Sequence, residues 1–224
     1  MDQRHQRHAV KSALIAVLGM VVPAAVVAGD GLPSDLLEFS DGAARTAQLT
    51  PLKDAHLDAA TREVRIWVGF YNVAELKLVR FRVDAAGQVQ GESFFVYPPM
   101  TGNAEQPYYD QIAGQCQAFN RSQDWEACRP NAAAGAHWDS AYHALQSLGL
   151  WDPAVSKLPS PSPRGGPTVL VELRTGDSYR AYAFNDPGES RSPQAQKAAK
   201  LLAIADGLVG MKLEQAPEEE EDRD

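Results

Sequence analysis

The chain has 224 residues, 44% of them hydrophobic, with 29 Asp and Glu against 21 Lys and Arg and a formal net charge of −8. That balance argues against nucleic acid or an anionic membrane surface as partner, because phosphate contacts need clustered Lys or Arg. The length suits one domain that can build a core without help from a metal.

The first residues have the order of a secretory leader. Arg4, Arg7 and Lys11 precede an apolar run of 16 residues, Ala13 to Ala28, which ends in small residues before Gly29-Asp30-Gly31. The run contains Pro23 and falls short of the roughly 20 residues that span a bilayer. We expect cleavage after Ala28, residues 1–28 as signal peptide, and a periplasmic or secreted chain with no transmembrane segment.

From Leu32 to Thr61, Leu-rich patches are broken by Asp, Ser, Gly and Pro, and only Asp54 to Ala60 suggests a short helix or turn. At Arg62 the period becomes two: Val64, Ile66, Val68 and Phe70 alternate with Arg65, Trp67 and Gly69, which predicts a strand. A second strand runs from Glu75 to Asp84, with Leu76 and Leu78 in one phase and Val79, Phe81 and Val83 in the other. This predicts a bulge near Leu78 or burial on both faces. Ala86-Gly87 turns the chain into a third strand, Gln88 to Tyr97, ended by Pro98-Pro99. The three form a meander.

Residues 98–131 show no sustained period, although Asp110 to Phe119 could form a short helix. Two cysteines in an exported chain, Cys116 and Cys128, form one disulfide most simply, and two are too few for a structural zinc site. A 34-residue connection in a compact domain is usually functional or disordered, and the bridge argues against disorder. Tyr108, Tyr109, Phe119 and Trp125 are concentrated there and are the candidate binding residues, as anchors for a protein or a sugar ring. The alternative is that they pack on the sheet as a satellite core.

A helix follows, with Trp138, Ala141, Tyr142, Leu145 and Leu148 on one stripe and Gly149 at its C-terminal cap. Residues 153–167 hold five prolines and Gly165-Gly166, an extended connector. Thr168 to Asn185 then reads as a hairpin about Gly176-Asp177, and a two- or a four-residue loop leaves Arg174 opposite Tyr179 in either case. One face is Val169, Val171, Leu173, Tyr182 and Phe184; the other is Leu170, Glu172, Arg174, Tyr179, Ala181 and Ala183. The first face is core. Glu172, Arg174 and Tyr179 could floor a polar pocket, but a solvated sheet face or a place under a loop is the preferred reading, since antiparallel sheets commonly expose one face. Ser192 and Pro193 open a last helix with an apolar stripe through Ala198, Leu201, Leu202, Ala205, Leu208 and Val209. Residues 213–224 carry an acidic cluster that predicts a solvated, disordered tail.

The expected fold is therefore α+β: an antiparallel sheet of about five strands, meander plus hairpin, with two main helices packed on it, over residues 29–212. The Trp138 helix, the Leu148-Gly149-Leu150-Trp151 exit, the strand with Glu172 and the run Tyr179 to Pro187 together resemble the ending of exported bacterial proteins of no assigned activity. The resemblance implies an exported α+β protein and carries no catalytic residues.

Candidate chemistry is sparse. Asp139 and His143 lie four apart on one helix face and could act as a carboxylate-oriented base, but neither a nucleophile nor a third ligand accompanies them. His137 points about 120° away around the helix, so the three do not converge on a metal. Gly-x-Ser-x-Gly is absent, as is a phosphate loop, and no cofactor is implied. Two readings follow: a non-catalytic exported module that binds another exported protein or an envelope polysaccharide, or a small hydrolase built on Asp139 and His143.

Overall fold

In the computed structural model, the described residues are 27–28, 32, 34–70, 75–99, 106–151, 167–185, 187–188, 191–211 and 213. The expected leader up to residue 26, residues 152–166 of the Pro-rich connector, and the acidic tail from 214 lie outside them. Eight strands form one sheet: β1 (Val27–Ala28), β2 (Arg62–Gly69), β3 (Leu76–Val83), β4 (Val89–Tyr97), β5 (Cys116–Arg121), β6 (Glu126–Pro130), β7 (Thr168–Thr175) and β8 (Ser178–Asn185). Their order is β1-β8-β7-β2-β3-β4-β6-β5. Every pairing is antiparallel except that of β1 with β8. Among the described residues, four helices lie on the sheet: α1 (Ser34–Thr46), α2 (Gln106–Gln115), α3 (Trp138–Ser147) and α4 (Pro193–Val209). The α+β class with an antiparallel sheet is as expected; the sheet is larger than the expected five strands. The additional strands are β5 and β6, which extend it beyond β4, and the short β1 at the opposite edge.

The register of the C-terminal hairpin is the one read from its residues, from Arg174 opposite Tyr179 to Val169 opposite Phe184. Thr175 pairs with Ser178, so the loop is the two-residue Gly176-Asp177, with Gly176 at φ 52°. The hairpin joins the meander through β7 and β2, which places the chain-distant Glu172 directly across from Arg65. β3 pairs without a break from Leu76 to Val83. Its two hydrophobic phases therefore report burial on both faces and no bulge.

Both faces carry a packed layer, the second over part of its area: Glu172, Arg174 and Tyr179 are not solvated but lie under other segments, the second of the two places expected for them. On the first face, Val64, Ile66, Val79, Phe81, Phe95, Val171, Leu173 and Tyr182 pack beneath Ile112 of α2, Tyr142 and Leu145 of α3, and Leu201 and Ala205 of α4. Ser192 caps α4 by accepting from the Ala195 amide at 3.1 Å, and Gly149 closes α3 at φ 84°. On the second face, Trp67, Leu78, Phe94, Leu170, Tyr179 and Ala181 lie beneath Leu36, Ala43 and Ala44 of α1 and Leu52 of a short 3-10 turn, Leu52–Asp54. The small Ala181 and Ala183 beside the charged residues are what lets this layer approach. Arg174 fastens the 3-10 turn: Nη1 donates to the carbonyls of Leu52 at 3.2 Å and Lys53 at 2.6 Å, and Nε to that of Gly176 at 3.1 Å.

One contact on the first face depends on the lack of a side chain. Gly91 pairs with Phe81 in the next strand, and a Cβ at Gly91 would lie 2.1 Å from the Trp138 ring. Trp138 therefore rests on bare backbone, edge-on to Phe81 at 5.7 Å between ring centroids. We predict that Gly91→Ala destabilises the protein by about 1–3 kcal/mol, the range for overfilling a packed core. Urea unfolding would measure it, and Gly91→Ala combined with Trp138→Ala should lose less than the two single losses added together.

Candidate functional site

Of the segment 98–131, the described part is ordered structure rather than loop: α2 leads into the β5–β6 hairpin, and β6 pairs with β4. The helix lies a few residues earlier than expected, because Cys116 already opens β5. Cys116 and Cys128 form the disulfide, with Cα atoms 5.7 Å apart, and join the two strands across the irregular register between Gln117 and Asn120. Cys128 is fully buried in the first-face core.

The four aromatic candidates separate. Tyr108 and Tyr109 are half-buried against the first-face core, and the Tyr108 hydroxyl donates to Glu75. Burial, then that hydrogen bond and the Glu75 charge, push the Tyr108 phenol well above its ordinary range. Phe119 and Trp125 sit on the hairpin, Phe119 at 43% exposure. Trp125 turns toward α1 and meets Phe39 edge-on, with centroids 6.2 Å apart and rings at 82°. Phe39 is 48% exposed, so this aromatic pair opens to solvent. The sequence reading missed Phe39, since the buried face of α1 is built largely of small and polar residues, Ser40, Asp41, Ala43 and Ala44.

Around the pair lies an open cleft of about 870 Å³ between α1 and the tip of the β5–β6 hairpin. Asp35, Glu38 and Arg45 of α1 line one side, and Asn120, Ser122 and Asp124 the other. The tip is held in several ways. The Ser122 amide donates to the Trp125 carbonyl at 2.8 Å, and the Trp125 amide to Ser122 Oγ at 3.1 Å. Thr46 Oγ1 and Ser122 Oγ are 2.9 Å apart, which ties the tip to the last turn of α1. Next to the tip, Arg121 pairs with Glu126, whose buried carboxylate also accepts from the Tyr97 hydroxyl at 3.2 Å. Chemically the cleft offers two ring surfaces, three carboxylates, two amides, two hydroxyls and two guanidinium groups. Such a set binds polyols or peptides and contains no nucleophile paired with a base.

Asp139 and His143 do share a helix face, with His143 Nε2 3.6 Å from Asp139 Oδ1. Both side chains are more than 60% exposed, and His143 Nδ1 lies 3.1 Å from Gln146 Oε1. The pair lines none of the clefts described here, and His56 and His137 are exposed elsewhere. Among the described residues, no group of three or more His, Cys, Asp or Glu could hold a metal ion.

Beneath α1, Glu172, Arg174 and Tyr179 belong to a buried polar layer. Glu172 Oε2 accepts from Trp67 Nε1 at 2.6 Å, and Oε1 from the Tyr179 hydroxyl at 2.9 Å. Burial pushes the Glu172 carboxyl up, against the charge of Arg65 and these two hydrogen bonds. Glu63, equally buried on the same face, moves the other way. Burial opposes its ionisation, but hydrogen bonds from Arg80 and the charges of Arg65 and Arg80 outweigh burial and hold it below the usual carboxylate range. A depressed native pKa stabilises the fold above the unfolded value, and that contribution is lost as pH falls through the native value. We predict that Glu63→Gln, which strands the buried Arg65, costs about 3–5 kcal/mol near pH 7. The gap from the natural protein should shrink below about pH 4, where the unfolded Glu protonates. Denaturant unfolding across that pH range checks both.

No protein-family model matches the chain, and no curated protein matches it significantly.

Proposed function

We propose that the chain is an exported, non-catalytic binding module, and that the cleft between α1 and the β5–β6 hairpin receives its partner, another exported protein or an envelope component. The observation that carries this reading is the Phe39–Trp125 pair, two neighbouring aromatic rings left partly open on elements that are themselves tied down. Rings exposed on a rigid frame lose little entropy on contact and are the usual anchors of recognition. The disulfide and the Thr46–Ser122 contact supply that rigidity. Export is supported by the leader-like first residues and is compatible with the disulfide. Among the described residues, no helix is long and apolar enough to cross a membrane. The hydrolase alternative draws no support from the open setting of Asp139 and His143.

With the chain as bait in an envelope extract, Phe39→Ala and Trp125→Ala are expected to abolish capture of the partner, and Phe39→Ala to leave the melting temperature nearly unchanged. Tyr109→Ala is expected to lower the melting temperature and keep capture. Capture that survives both Phe39→Ala and Trp125→Ala would overturn the assignment of the cleft.

A further inference from the structure

The second face of the sheet has a corner left open beside the covered layer. There Arg80 and Arg82 of β3, Gln90 and Glu92 of β4, and Arg129 of β6 line a groove of about 240 Å³. Arg82, Gln90 and Arg129 are exposed. Three guanidinium groups face a single carboxylate at the groove, on a chain whose formal charge is −8. Deeper in, Glu63 lies against Arg65, with Arg65 Nη2 2.8 Å from Glu63 Oε1, so that pair adds little net charge at the surface.

Two of the three guanidinium groups, those of Arg80 and Arg129, are set in place before any ligand arrives. Glu63 grips Arg80 at two points, Nε to Oε1 at 2.7 Å and Nη2 to Oε2 at 2.9 Å. Glu92 holds the remaining end of Arg80 with one oxygen and Arg129 Nη1, at 2.9 Å, with the other. The Arg129 guanidinium also lies over the Phe94 ring, 4.7 Å from its centroid. Arg82 has no ion-pair or hydrogen-bond partner among the described residues. The nearby Asp84 does not take that place, because its Oδ1 accepts from the Ala86 and Gln88 amides in the β3–β4 turn at 2.9 and 2.8 Å.

We propose that this corner binds a phosphate group, with Arg82 and the free edge of Arg129 donating to its oxygens, Gln90 adding an amide donor, and Arg80 contributing field. Guanidinium forks match the oxygen spacing of a phosphate and bind it more strongly than scattered lysines. The groove's surplus of positive charge is matched by a phosphate dianion. Arg80, Arg82 and Arg129 are dispersed along the sequence and become a basic cluster only through the pairing of β3 with β4 and β4 with β6. The phosphate can be free or carried on a lipid headgroup, and the test separates these.

The full chain is titrated with inorganic phosphate by calorimetry, against sodium chloride at matched ionic strength, and is sedimented with vesicles of phosphatidylglycerol in phosphatidylcholine. Saturable phosphate binding, weakened about tenfold or more by Arg82→Gln and unchanged by Arg62→Gln, is the expected result, since a charge-assisted hydrogen bond accounts for that factor. Vesicle binding that Arg82→Gln removes, without binding of free phosphate, supports the same site and assigns the group to a headgroup. Phosphate indistinguishable from chloride together with no vesicle binding, or Arg82→Gln binding as the natural chain does, overturns the proposal. Arg82 makes no contact that folding needs, so its variant should melt with the natural protein.

Discussion

The structure turns on a row of charged side chains that crosses the sheet in register: Glu172 of β7, Arg65 of β2, Arg80 of β3 and Glu92 of β4 stand directly opposite one another on the second face. The next row sets Arg174, Glu63 and Arg82 side by side and ends in the neutral Gln90. Buried charges are tolerated only when paired and hydrogen-bonded, and a one-residue slip of any strand would send these groups into the first-face core. The rows therefore resist register errors among strands that are far apart in the sequence. Arg65 and Glu63 lie within this layer almost wholly shielded from water, at 2% and 1% exposure.

The placement of α1 follows from the same rows. Trp67, Leu78, Phe94 and Leu170 form a neighbouring apolar row, and the helix lies over that row with Leu36, Ala43 and Ala44. Along the charged rows the second face stays covered at Glu172, Arg174, Arg65 and Glu63 and opens only toward Arg82, Gln90 and Arg129. The aromatic cleft forms where α1 meets the β5–β6 hairpin, and the arginine groove forms where the charged rows reach β4 and β6. Both features thus come from one face of the sheet, the face that a simple inside-outside rule would have given to solvent.

The hairpin was legible because its turn, alternation and paired arms all pointed to one register, and α3 and α4 because their apolar stripes were long and capped. What was hidden has physical causes. In α1, Ser40 and Asp41 occupy buried positions, Asp41 paired with Lys53, so the stripe is interrupted by polar residues. In β5 and β6 the strands are short and the register shifts, and no alternation survives in Cys116 to Arg121. The second face misled because its charges neutralise one another across strands, and Trp67, which donates to Glu172, and Leu52, whose carbonyl accepts from Arg174, lie more than a hundred residues away. The candidate site suffered most: Trp125 was in view, but Phe39 becomes its neighbour only through packing of α1 against the hairpin tip.

Four tryptophans, Trp67 buried and the other three half-buried, make the recognition claim directly measurable. Indole N–H resonances of the isotope-labelled chain can be followed as the fractionated envelope component is added. The cleft account predicts that the Trp125 signal shifts or broadens while that of Trp67, hydrogen-bonded to Glu172 beneath α1, stays where it is. A titration that moves Trp138 or Trp151 and leaves Trp125 unchanged would contradict it.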